Sequence, residues 1–232
     1  MDGESRFQKI VKRNGEVADF NPEKIEHATF KAMRAVAEPN RKTSKLNLRS
    51  GIVAIMILFA ALSRLIPHSL NFAPIGAMAL FGAAYFSQKY LAFLIPIISM
   101  WLSDLIINNV VYGQYFDHFV WFYDGFYWTY GAFILIGLVG MVTLRKIRIQ
   151  NLIAASLLAS LIFFLVSNFG VWASTQMYTH SLQGLITCYI AGLPFFRNTI
   201  LGDLVYTGIF FGLFELAQQR ILSLQLKTIK NN

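Results

Sequence analysis

Six runs of mostly apolar residues, each close to the length that crosses a lipid bilayer, dominate the chain beyond residue 50. They lie at about 50–67, 72–88, 90–107, 127–144, 151–172 and 199–219. A spanning helix needs about 20 such residues, within a range of roughly 17–25. Charge points the same way. Only 14% of the 232 residues are charged, against roughly 25% in soluble domains. The deficit is uneven: residues 1–50 carry 11 Lys/Arg and 7 Asp/Glu, and the remaining 182 carry 9 and 5. A polar head therefore precedes an apolar body.

The placement of the basic residues sets an expected topology. Arg41, Lys42, Lys45 and Arg49 precede the first run, Arg145, Lys146 and Arg148 follow the fourth, and Arg220, Lys227 and Lys230 follow the sixth. Clusters between apolar runs fit the positive-inside pattern and exclude a nucleic-acid face, despite the net charge of +8. The loops after runs three and five hold no Lys or Arg, so both termini are expected on the cytoplasmic side. Only one span then fits between 173 and 220. The short segment 181–196, interrupted by glycines and Pro194, reads as a re-entrant or interfacial half-helix, with 199–219 as the last span.

The expected fold class is an all-α integral membrane protein. It comprises a six-helix bundle with that half-helix, plus a small N-terminal β-hairpin and helix. The expected organisation is an amino-terminal segment over 1–37, a basic linker over 38–49, the membrane domain over 50–222 and a cytoplasmic tail over 223–232. No signal peptide is expected, because the first apolar run follows 50 polar residues. The single cysteine, Cys188, excludes an internal disulfide and a Cys-based zinc site.

A charge at the bilayer centre costs at least about 2.5–3.5 kcal/mol on insertion scales, so the charges inside the runs need an account. Arg64 stands near the end of its run and can snorkel. Arg197, Asp104 and Asp203 lower one another's cost if they pair. Two readings fit them: an ion pair that locks the half-helix to the bundle, or a polar pocket in the outer half of the bundle. Asn71, Asn168 and Asn198 add hydrogen-bonding groups that need partners, and a ligand can serve as one. Between 108 and 128 the sequence holds ten aromatic residues, which read as an interfacial belt or as a lid over a small-molecule pocket. Small residues four apart (Gly76, Ala79 and Ala83; Ala155 and Ala159, with Ser156 and Ser160) let helix backbones approach closely. His27, His68, His118 and His180 are scattered, and no nucleophile or acid–base constellation is visible, so neither an enzyme nor a metal site is expected.

The blocks "NFAPIGAMALFGAAYF", "PIISMWLSDLII", "FFLVSNFGVW" and "GLITCYIAGLPFFRNTILGDLVYTGIFFGLFE" resemble an uncharacterised family of bacterial six-span membrane proteins. The likeness covers about residues 51–219. That family is similar to the substrate-binding S components of energy-coupling factor vitamin transporters. The resemblance implies capture or uptake of a small vitamin-like molecule at the bacterial inner membrane, with docking to a membrane coupling subunit driven by ATPases through the small-residue faces of spans one and two. The residues carried over are Asn71, Pro74, Asp104, Asn168, Trp172, Cys188, Arg197, Asn198 and Asp203. Of these, Asn71, Asp104, Asn168, Trp172, Arg197, Asn198 and Asp203 form the candidate substrate pocket. Cys188 reads either as an inert buried thiol or as a soft ligand to a metal cofactor.

Upstream, weakly alternating residues flank an Asn14-Gly15 hairpin signal. Asn21 then stands as N-cap, with Pro22 at the first helical position. "VKRNGEVADFNPEKI" resembles the start of an ATP-cone, a regulatory nucleotide-binding domain, with the match ending near Val36 at about half that domain's length. The resemblance implies ATP or dATP contacts at Lys12, Arg13, Asn21 and Lys24, with Val11 (or Ile10) packing on the base. It supports the alternative function, a membrane protein with a nucleotide-sensing element.

Overall fold

The computed structural model describes residues 9–11, 17–19 and 22–221. They fall in two compact units, Met1–Lys45 and Leu46–Asn232. In the first, β1 (Lys9–Val11) pairs antiparallel with β2 (Val17–Asp19), Ile10 lying opposite Ala18. The Asn14-Gly15 turn lies outside the described residues. Helix α1 (Pro22–Ser63) opens in this unit and closes in the second. The basic stretch 38–49 carries helical backbone as part of α1.

The second unit is built on helices: the end of α1, α2 (Ile75–Tyr85), α3 (Lys89–Ile106), α4 (Phe126–Thr143), α5 (Ile149–Ser174) and α6 (Leu182–Arg220). A π-helical turn, Ile107–Val111, prolongs α3. Four segments are long and apolar enough to cross a membrane: Lys89–Val111, Phe126–Thr143, Ile149–Ser174 and Leu182–Arg220. Leu48–Ser63 and Ile75–Tyr85 are shorter apolar helices. In the apolar window of α5 only 22% of residues are buried. A helix this apolar and this uncovered is stable where lipid rather than water is the solvent.

Six full-length spans and a half-helix were expected; the spans at 50–67 and 72–88 are shorter apolar helices, Leu48–Ser63 and Ile75–Tyr85, and the half-helix differs too. The expected span 72–88 is an 11-residue helix, α2. Asn71 sits in the left-handed region at φ 61°, which Asn tolerates better than most residues. Pro74 then disfavours helical backbone at Ala73, so the helix cannot start earlier. The half-helix expected at 181–196 does not exist as a separate element: α6 runs through Pro194 without a break for 39 residues. Proline removes one amide donor, but ending a helix inside lipid would strand several more groups.

The short, enclosed element is therefore α2. Nine of its 11 residues are buried, and it packs against α3, α4, α5 and α6. Its small residues serve internal packing, so this face is not free to dock a partner subunit, as the resemblance to S components implied. Val53 and Ile57 of α1 join it in the core with Phe81, Phe133, Ile136 and Phe214.

Candidate functional site

A helix N-terminus leaves its first amides without partners inside the helix, and Pro74, at the N-cap of α2, offers no side-chain hydrogen bond. The missing acceptor comes from α6. Asp203 Oδ1 accepts from the Gly76 amide at 3.0 Å, and its Oδ2 accepts from Ser160 Oγ of α5 at 2.7 Å. Asp203 is 1% exposed. A carboxylate at a helix N-terminus gains from both the amides and the dipole. Glycine is required at 76: a Cβ there would lie 2.6 Å from both carboxylate oxygens.

Beside this cap, Arg64 turns inward rather than snorkelling. Its guanidinium meets Asp104 Oδ1 at 2.8 Å and donates to Ser103 Oγ at 2.6 Å, while Tyr130 Oη donates to Asp104 Oδ2 at 2.8 Å. The pair joins the segment after α1 to α3 and α4. Arg197, the expected partner of Asp104 and Asp203, is exposed and makes no ion pair among the described residues. It lies well inside the long α6 rather than at a helix opening.

Two cavities abut these groups. One of about 190 Å³ is lined by Arg64, His68, Asn71, Thr199 and Asp203, with Tyr112 and Phe163 among its walls. The other, of about 210 Å³, is lined by Asn168, Ser167, Gly192, Phe164 and Phe196. They share Asn71, Phe163 and Thr199. Asn198 Nδ2 donates to the Leu70 carbonyl at 2.9 Å, tying the irregular segment that carries Asn71 to α6.

The candidate residues thus divide. Asn71, Asn168 and Asp203 line the cavities, Asp104 stands behind Arg64, and Asn198 braces the wall. Trp172 lies apart from the cavities, its Nε1 donating to the Thr179 carbonyl at 3.0 Å and its ring beside His180. Buried Cys188 donates through Sγ to the Asn168 carbonyl at 3.3 Å. Arg64, His68, Ser160 and Thr199 were missed. The signal for Ser160 was present in its spacing with Ser156, which read as packing alone.

Asn109 pins the aromatic loop, its amide exchanging hydrogen bonds with both backbone groups of Val120. Tyr112 reaches the first cavity, while Phe119 and Trp121 are exposed. Tyr123 is half-buried between exposed Phe122 and Asp124, and burial pushes its hydroxyl up to about 12. Of the candidate nucleotide contacts, Lys12, Arg13 and Asn21 lie outside the described residues. Val11 is in β1, and Lys24 is exposed in the first turn of α1. Among the described residues no group of three or more His, Cys, Asp or Glu could hold a metal.

Four helices long and apolar enough to cross a membrane, packed around a short enclosed one with charges satisfied inside, fit a helical membrane protein. The chain belongs to a family of unknown function (DUF6580), whose model matches residues 44–226. No curated protein and no solved structure matches it.

Proposed function

We propose that the membrane domain captures a small polar, vitamin-like solute at the end of the bundle where α2 begins, for uptake across the inner membrane. The observation that carries this reading is the pair of abutting cavities lined by Arg64, His68, Asn71, Asn168, Thr199 and Asp203. Polar groups are expensive inside a membrane and mark substrate paths when they face a cavity. This lining offers both donors and acceptors, so the solute carries both. The positive clusters support an opening on the outer side with both termini in the cytoplasm. Docking to a coupling subunit with ATPases is the S-component form of this role. It would use a surface other than the enclosed α2.

The test is to purify the full chain in detergent and identify co-purified small molecules by mass spectrometry, with thermal stability read against a panel of polar solutes. A released solute that rebinds and raises Tm, with the rise lost in Thr199→Val, is expected. An empty preparation with no Tm response to any solute overturns the reading.

A further inference from the structure

At the opposite end of the bundle, a groove of about 550 Å³ opens between the first turns of α5 and the second half of α6, with Tyr85 of α2 among its lining residues. Leu152, Leu204 and Phe211 make its lining apolar. Gly208 and Gly212 stand one helical turn apart along it, and a Cβ added at either meets nothing within 4 Å. The groove is therefore vacant where α6 could have carried side chains. Two lining residues, Tyr85 and Thr207, are each 4% exposed, and neither hydroxyl has a hydrogen-bond partner. Buried polar atoms in folded proteins are ordinarily partnered.

Charge at the rim narrows the occupant. Arg148 lines the groove, and exposed Arg145 and Lys146 precede it in the turn between α4 and α5. Glu215 is the one carboxylate in the lining, so the rim is net positive. Basic pockets between membrane helices suit anionic headgroups, and the faces of α5 and α6 beside the groove are apolar and uncovered. A second copy of the chain fits less well, although Gly208 and Gly212 have the spacing of a helix-dimer motif. A two-fold pair in one membrane would set the same basic turn of each copy at the same depth, where like charges repel.

We propose that this groove binds one anionic phospholipid, its acyl chain along Gly208 and Gly212 and its phosphate at Arg148. The test uses the full chain in detergent, with retained lipid counted by native mass spectrometry against phosphatidylglycerol and phosphatidylcholine. Wild type retains one phosphatidylglycerol in preference to phosphatidylcholine. Gly208→Leu fills the groove and loses it, whereas Gly131→Leu, another glycine with open space beside it but on α4, keeps it. Arg148→Gln weakens phosphatidylglycerol retention roughly fivefold without touching the helix packing, the loss expected for one juxtamembrane cation. This variant decides the matter if Gly208→Leu does not fold. Equal retention of the two lipids by wild type, or unchanged retention in either Gly208→Leu or Arg148→Gln, overturns the proposal. So does displacement of the lipid by inorganic phosphate, which would assign the rim to a soluble anion. Wild-type dimers that become monomers in Gly208→Leu with lipid unchanged would assign the groove to a second copy.

Discussion

The two ends of α2 are held by different physics. At its start, a few directed contacts carry the load: Asp203 on the Gly76 amide, Ser160 on Asp203, and the Arg64–Asp104 pair beside them. At its end, Phe81 and Tyr85 nest among Phe210, Phe211 and Phe214 of α6, with ring centroids 4.4–5.8 Å apart. Arg49 lies over the Tyr85 and Phe214 rings at 5.5 and 5.6 Å. That end closes itself, the Phe86 amide bonding the Gly82 carbonyl at 3.1 Å. Lipid removes most of the hydrophobic drive between helices, which leaves packing and interhelical hydrogen bonds to hold them. One end of α2 uses each. The polar end is specific and intolerant of single losses, whereas the aromatic end spreads its stabilisation over many contacts.

This contrast ranks the expected effects of mutation, each read as unfolding free energy in detergent. The largest belongs to Arg64→Met, which leaves Asp104 without its cation in a nearly buried site and should cost about 3 kcal/mol. The double variant Arg64→Met with Asp104→Leu should be less destabilised than Arg64→Met alone. A double as unstable as the sum of its singles would show that the two side chains are not coupled. Next, Gly76→Ala forces a methyl group against the Asp203 carboxylate and should cost about 2 kcal/mol. A neutral result would mean that Asp203 can leave the end of α2 freely. Smallest, Phe214→Leu at the aromatic end should cost about 1 kcal/mol, because the other rings remain and the loss is limited to ring contacts with Phe81 and Tyr85 and the Arg49 guanidinium. A cost exceeding that of Gly76→Ala would invert the comparison.

The long helices were legible because apolar length alone specifies them: α3, α4 and α5 fall close to the runs 90–107, 127–144 and 151–172. The short helix and the unbroken one were not. Pro74 bounds the start of one element and Pro194 interrupts nothing, and the difference lies in what surrounds each proline, not in the residue. Asp104 and Asp203 were recognisable as costly charges needing partners. Their actual partners were not, because Arg64 lies 40 residues before Asp104 and the Gly76 amide has no side chain to announce itself. Backbone donors at a helix start are invisible to any search for complementary charges.

The distance along the chain between Gly76 and Asp203 also dictates an order of events. A chain is made and inserted from its amino terminus, so α2 enters the membrane before the residue that completes it has been synthesised. Throughout that interval its leading amides lack their acceptor, and α2 is too short to cross on its own. Insertion of the last helix is thus the step that finishes the second. Chains released before residue 203 should be recognised as unfinished and degraded, however many earlier spans they contain.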